Sequence, residues 1–212
     1  TYTGRQVGVT DALSYSPVYA CVGIISETLS TLPLLIYRRW SDGGKQRASS
    51  HPLFSLLHDS PNPEMTAAEF WECLIGQGEL RGNAYAEKER DVSGRVAYLW
   101  PLRADCMTVE RDQATGRTGY LYRLPNGQSA RLNPDDVMHL RGRTSDGIMG
   151  YSPLTLHREA FALGLAVEEY TARFFGNNAN PSGVLSHPGH LSEAGQVNLK
   201  RSWEDAHRGL TN

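Results

Sequence analysis

A chain of 212 residues, 40% hydrophobic and 9% aromatic, carries enough apolar side chain for one large core or two small ones, which excludes a disordered segment. Its 21 lysines and arginines stand against 23 aspartates and glutamates, and a net charge of −2 excludes a protein that grips nucleic acid by neutralising many phosphates. No apolar run reaches the roughly 18 residues that cross a bilayer, and TYTGRQVGVTDALS lacks the charged start and apolar centre of a signal peptide, so no membrane partner is expected.

The first strong pattern in chain order is SYSPVYACVGIISETLSTLPLLIYRR. Ser16 is placed as an N-cap and Pro17 in the first turn, where its missing N–H costs nothing. Val18, Val22, Ile25, Leu29 and Leu32 recur at spacings of three and four, an apolar stripe that predicts a covered helix face ending at Pro33. PLLIYRR then predicts a strand and SDGGK a turn. Pro52 opens a short helix carrying Leu53, Leu56 and Leu57, and SPNP interrupts the chain. Thr66 and Glu69 form a capping box for a second long helix, whose buried face is predicted as Phe70, Leu74 and Ile75 with Trp71 beside it, stopping at Gly82-Asn83.

From Ala84 to Arg141 the period shortens from 3.6 to 2. AYAEKER, RVAYLWPL, CMTVERD, GYLYRL, QSARL and DVMHLRG predict strands joined by the turns DVSG, QATGR and PNG. The fold class is therefore α+β: helices flanking a meandering antiparallel sheet, then a long helix and a small strand–helix segment. Ser152 and Pro153 repeat the cap signature, and the helix they open is predicted to run to Phe175, roughly 35 Å at 1.5 Å per residue. Leu156, Ala160, Leu163, Val167, Tyr170 and Phe174 line one side of it and Leu154, Phe161 and Leu165 another, so it needs more than one neighbour. NNANPSG reads as a linker, VLS as a short strand, and Ser192 begins a last helix through Val197, Leu199 and Trp203 to about Arg208. Boundaries fall near Gly150 and Asn177, and the end at Asn212 interrupts a strand–helix unit, as in a fragment.

Chemical motifs are sparse. Cys21, Cys73 and Cys106 lie far apart without a CxxC, predicting buried thiols in a reducing compartment. The turn before the long helix, SDGIMGYSP, could present N–H groups to an anion, but it lacks both the Walker A ending and a dinucleotide fingerprint. His187 and His190 sit in a loop without a third ligand, and His139 is expected to make one structural hydrogen bond. The neighbouring acids Asp135-Asp136 and Glu168-Glu169 point apart on either a strand or a helix. Tyr85, Tyr98, Trp100, Tyr120 and Tyr122 could stack bases, but Glu87, Glu89, Glu110 and Asp112 are interleaved with them, so half-buried sheet residues are expected. No catalytic residue, cofactor site or metal site is predicted.

Four stretches taken in order carry a resemblance: SPVYACVGIISETLSTLPLLIYRR; HPLFSLLHDSPNPEMTAAEFWECLIGQGELRGNAYAEKERDVSGRVAYLWPL; VMHLRGRTSDGIMGYSPL; and FFGNNANPSGVLSHPGHLSEAGQVNLKRSW. Together they resemble the N-terminal half of the tailed-bacteriophage portal protein family, the type found in long-tailed phages. The resemblance implies a subunit of a ring, usually of twelve copies, at one capsid vertex of the virion, assembled in the host cytoplasm. Such a ring nucleates head assembly with the major capsid protein, docks terminase, passes double-stranded DNA without reading its sequence, and then seats the head–tail connector.

The family is not enzymatic, since ATP hydrolysis belongs to terminase. By the same resemblance residues 1–150 form a wing, 151–176 the first stem helix and 177–212 the start of the clip, while the second stem helix, channel loop and crown are absent. Gly147, Gly150, Ser152 and Pro153 would form the wing–stem joint, and Leu156, Leu163, Val167, Tyr170 and Phe174 the stem packing or subunit interface. Ser192, Lys200, Trp203 and Arg208 would lie on a clip helix facing terminase. Two rival readings are an anion- or nucleotide-binding enzyme using the Gly147–Pro153 turn with His139 or Asp146, and a non-viral oligomeric scaffold.

Overall fold

The computed structural model describes residues 1–2, 4, 6–111, 113, 116–176 and 189–207. They fall into two compact units, Val7–Arg158 and a second made of Thr1–Gln6 with Glu159–Asn212. The first unit opens with α1 (Val9–Ser14), a short helix that the sequence did not announce, started where the Gly8 N–H donates to the Asp11 carboxylate at 2.8 Å. Next come α2 (Ser16–Ser30), a hairpin of β1 (Tyr37–Arg39) with β2 (Lys45–Arg47), α3 (Pro52–His58) and α4 (Ala67–Arg81). The strand predicted from PLLIYRR is thus limited to its last three residues, and its partner β2 begins at the lysine read as turn.

Two expectations for α2 fail. Tyr15, not Ser16, occupies the N-cap, because Ser16 already has helical backbone and its hydroxyl caps nothing. Nor is the apolar stripe fully covered among the described residues: Val18 and Val22 are half-buried and Ile25, Leu29 and Leu32 exposed, while Ser26 and Ser30 are buried. The helix packs through its small residues, with Val22 close to Gly76 of α4. This is tolerable for serine because the hydroxyls bond back to their own helix, Ser26 to the Val22 carbonyl at 2.7 Å and Ser30 to that of Glu27 at 2.9 Å. The thiols are also not buried as expected: Cys21 and Cys73 are exposed, and Cys106 is half-buried.

The capping box of α4 is formed as predicted, with the Thr66 N–H bonding Glu69 at 2.7 Å and the Glu69 N–H bonding Thr66 Oγ1 at 3.3 Å. Phe70 and Leu74 are fully buried beneath it, Trp71 donates its indole N–H to the Leu57 carbonyl, and Gly82 ends the helix at φ 73°.

The predicted strands form as β3 (Asn83–Arg90), β4 (Val96–Leu102), β5 (Met107–Arg111), β6 (Thr118–Arg123), β7 (Ser129–Leu132) and β8 (Val137–Arg141). They divide between two antiparallel sheets, β4-β3-β8 and β5-β6-β7. β8 leaves the meander to pair with β3, setting His139 opposite Tyr85 and Arg141 opposite Asn83. The period of two explains this placement. Ala84 and Ala86 face one way into a cluster with Phe70, Leu74 and Leu99, and Tyr85 faces the other way into a cluster with Leu102, Met107, Tyr120 and Val137. A strand buried on both faces cannot leave its backbone amides to water, and pairing both edges satisfies them. The SPNP segment does the same for β4: Leu99 N–H donates to the Pro61 carbonyl at 2.8 Å, and the buried Asn62 side chain donates to the Leu99 carbonyl at 2.8 Å.

The long helix expected from Ser152 to Phe175 is broken. α5 (Pro153–Leu156) is a single turn, His157 leaves the helical path at φ −109°, ψ 15°, and α6 (Arg158–Gly176) restarts for 19 residues. The first turn is tied down locally, since Ser152 donates its hydroxyl to the Leu80 carbonyl at 3.1 Å and Leu154 is buried. At 1.5 Å per residue α6 is about 28 Å long. In the second unit the Tyr2 N–H bonds Glu159 at 2.9 Å, and α7 (Glu193–His207) begins where Ser192 Oγ accepts from the Gly195 N–H at 3.3 Å. The predicted VLS strand, His187 and Arg208 lie outside the described residues.

Candidate functional site

The turn between β8 and α5 is built around its own acid. Asp146 Oδ1 accepts from the Ile148 N–H at 2.8 Å and the Met149 N–H at 3.2 Å, and Thr144 Oγ1 accepts from the Gly147 N–H at 3.0 Å. Those N–H donors hold the Asp146 carboxyl below its ordinary pKa. Further along, the Gly150 N–H donates to Asn83 Oδ1 at 2.8 Å, the Tyr151 N–H to the Arg143 carbonyl at 2.7 Å, and the Thr155 N–H to Ser152 Oγ at 3.2 Å. The donors that an anion would need are therefore spent inside the protein, next to a resident carboxylate. This removes the physical basis of the anion-site reading.

Asn83 is the centre of the arrangement, although only the end of a helix was read there. Its amide nitrogen donates to the carbonyls of Gly150 at 2.9 Å and Arg81 at 3.1 Å, and its oxygen faces His139 Nε2 at 3.0 Å as well as the Gly150 N–H. His139 also meets the Tyr120 hydroxyl at 3.3 Å through Nδ1, giving it two partners where one was expected. Burial, reinforced by the charge of Arg141, pushes the His139 pKa down to about 4.

Three glycines let the backbones meet here. A Cβ on Gly82 would lie 1.9 Å from the Tyr151 oxygen, and one on Gly150 would lie 2.0 Å from the Gly82 oxygen. Gly142 donates its N–H to that same oxygen at 2.8 Å. Gly147 differs from Gly150: it takes φ 73° to turn the chain, with open space around it. No pattern in the sequence could connect Gly82 and Asn83 to residues 56 or more positions away.

Elsewhere the motifs resolve into structure. Arg90 binds Asp136 at 2.6 Å and the Asp135 carbonyl at 3.1 Å, and Glu169 pairs with Arg173 one turn along α6, so neither acid pair converges. Tyr85 and Tyr120 are buried between the sheets, while Tyr98 is exposed and Trp100 donates to Glu89 at 2.7 Å. Among the described residues no three His, Cys, Asp or Glu side chains are placed to hold a metal.

The remaining feature is exposed apolar surface. Leu156, Leu163, Val167, Tyr170 and Phe174, the stripe predicted to meet a partner, all face outward on α5 and α6, and Tyr170 stacks on Phe174 at 6.3 Å. Of the other predicted side, Leu154 and Leu165 are buried but Phe161 is only half-buried, the neighbouring Ala162 taking the buried place. Ser192, just before α7, and Lys200 on it are exposed, and Trp203 is half-buried. Ile24, Ile25 and Leu29 of α2, with Leu32 just beyond its end, are also exposed, and a groove of about 510 Å³ runs between α1, α2 and α4, lined by Leu13, Val22, Cys73 and Leu80 together with Glu27 and Glu72. Contiguous apolar rows of this kind mark interaction surfaces.

Comparison with known proteins gives a consistent answer. Residues 16–212 match a family model described as phage portal protein. The portal protein of Enterobacteria phage HK97 is 33% identical over 82% of this chain and 41% of its own length, and the probable portal protein of Streptomyces phage phiC31 is 30% identical over 99% and 47%. The chain thus spans about half the length of the relatives it matches. Among solved structures, a chain in the neck of an empty gene transfer agent particle, computed with C6 symmetry, superposes with a TM-score of 0.68 at 27% identity, over 99% of this chain and 60% of that one. The neck of the native particle, computed with C12 symmetry, gives 0.64 at the same identity, over 99% and 59%.

Proposed function

Since the chain belongs to the phage portal protein family, we propose that it forms the N-terminal part of a subunit in a portal ring at a single capsid vertex. The carrying observation is the family match over residues 16–212, supported by likeness to a ring-symmetric particle neck. In this reading the ring is the conduit for double-stranded DNA during packaging and ejection, docks terminase and later the head–tail connector, and sits among major capsid subunits. It assembles in the host cytoplasm and catalyses nothing.

Residues 1–150 form the wing, 151–176 the stem and 177–212 the start of the clip. Gly147, Gly150, Ser152 and Pro153 join wing to stem, the exposed row Leu156, Leu163, Val167, Tyr170 and Phe174 meets a neighbouring subunit or the rest of the stem, and Ser192, Lys200, Trp203 and Arg208 face terminase. A balanced charge suits a conduit, because neutralising many phosphates along a channel would hold DNA that must slide.

The test is electron microscopy with native mass determination of the full-length gene product. A hollow ring of about a dozen subunits, as in the C12 neck, is expected; a monomer or dimer at micromolar concentration overturns the reading.

A further inference from the structure

We infer, resting on the ring proposed above, that the basic β1–β2 hairpin of one copy of this chain docks on the acidic groove between α1, α2 and α4 of the next copy. Both surfaces belong to the same compact unit, Val7–Arg158.

The hairpin is electrostatically unsatisfied. Residues 37–47 hold four cations and one acid, Asp42, in a chain whose net charge is −2. Every residue of β1 and β2 is exposed, and their register sets Arg39 directly opposite Lys45. Like charges facing each other across a strand pair destabilise it. Arg47 is used inside the chain: its guanidinium lies 5.1 Å from the Phe54 ring centroid and 3.5 Å from His58 Nε2. Asp42 closes the turn by accepting from the Gly44 N–H at 2.9 Å. That leaves Arg38, Arg39 and Lys45 without an ion-pair partner among the described residues. Tyr37 and Trp40, beside them in the chain, are exposed as well.

The groove has the opposite fault. Glu27 and Glu72 line it, and both are exposed. Glu27 stands in the last turn of α2, where free carbonyls already make the potential negative, and that turn holds no basic residue. Neither carboxylate meets a cation among the described residues. Glu69, the third acid on the lining, is spent on the Thr66 cap, and Arg81, the one cation described there, lies 3.9 Å from Asp105. The walls between the acids include Leu13, Val22 and Leu80, so the groove offers carboxylates to cations and apolar surface to aromatic rings. Its volume of about 510 Å³ is that of a site for a group of small-molecule size, which the side chains of one hairpin supply.

Symmetry selects a second copy as the occupant. A ring closes through heterologous contacts, in which one surface of a subunit meets a different, complementary surface of its neighbour. This chain is similar to one in a particle neck computed with C12 symmetry, and its first unit carries two unsatisfied surfaces of opposite sign. Nucleic acid would satisfy the hairpin and leave the groove empty, whereas a neighbouring copy satisfies both.

The test reverses each surface in the full-length gene product: Glu27→Lys with Glu72→Lys in one variant, Arg39→Glu with Lys45→Glu in another. Ring yield is read by native mass spectrometry for each variant alone and for their equimolar mixture. Either variant alone sets like charges together, and a loss of rings of about tenfold or more is expected. The mixture is expected to recover rings containing equal numbers of the two variants. In it the cationic hairpin of one variant meets the acidic groove of the other, and the reversed hairpin meets the reversed groove at the next contact. A defect inside a single subunit is not mended by mixing.

Rings of wild-type yield from either variant alone, or a mixture that assembles no better than its components, overturn the inference and leave the ring standing. A wild type that stays monomeric or dimeric overturns the ring itself, and this contact with it. All four side chains are exposed, so unchanged far-UV circular dichroism is expected. Should a reversed variant unfold, Glu27→Gln with Glu72→Gln decides: a reduced ring yield is expected, and a wild-type yield overturns the inference.

Discussion

At the scale of single residues the two glycines of DGIMG do different work. Gly147 supplies a positive φ in open space, so Gly147→Ala is expected to cost about 1–2 kcal/mol, the ordinary penalty of a left-handed alanine. Gly150 supplies clearance: a methyl group 2.0 Å from the Gly82 carbonyl oxygen and 2.9 Å from the Gly142 nitrogen must push two backbones apart. Gly150→Ala is expected to cost more than about 4 kcal/mol, in the range where a chain of this size ceases to fold. Urea unfolding of the two variants checks the difference, and equal costs would show that the close approach does not exist. The glycines themselves, and the Ser152-Pro153 cap, were legible because each is a local signal. Their shared dependence on Asn83 was not, because a carboxamide that bonds a backbone 67 residues away leaves no trace in its neighbours.

At the scale of elements, periodicity told which segments are helices and strands but not always which face is covered. On α4 the two agreed for Phe70 and Leu74, the period-four pair, which are both buried, while Ile75 at the edge of that face is only half-buried; Leu74→Ala is expected to cost about 2–5 kcal/mol. On α2 they disagreed, since the helix buries Ser26 and Ser30, sets Val22 close to Gly76 of α4 and leaves Ile25 and Leu29 outside. Ile25→Glu and Leu29→Glu are therefore expected to change the stability of this chain by no more than about 0.5 kcal/mol, the same chemical denaturation providing the measurement. A loss above 2 kcal/mol would mean that the stripe is covered in solution. The capping box at Thr66 and Glu69 was read correctly for the opposite reason: donor, acceptor and helix start all lie within four residues.

At the scale of the whole molecule, the outward row on α6 and the family membership meet in one prediction. Val167→Glu with Tyr170→Glu in the full-length protein is expected to reduce the yield of rings by about tenfold or more in native mass spectra, because two charges would be desolvated in a subunit contact. Far-UV circular dichroism should be unchanged, as both side chains are exposed in this chain. Rings of normal yield would assign the contact to another surface. Composition, helix caps, strand period and the order of the four quoted stretches were enough to reach the α+β class and the family, since each is a property of residues close in the chain or of their order along it. The division of six strands between two sheets, the return of β8 to β3, the break at His157 and the Asn83–His139–Gly150 cluster depend on which distant surfaces satisfy one another's backbone groups and fill one another's volume. Those are pairwise properties of residues far apart in the chain, and they take definite values only once it is folded.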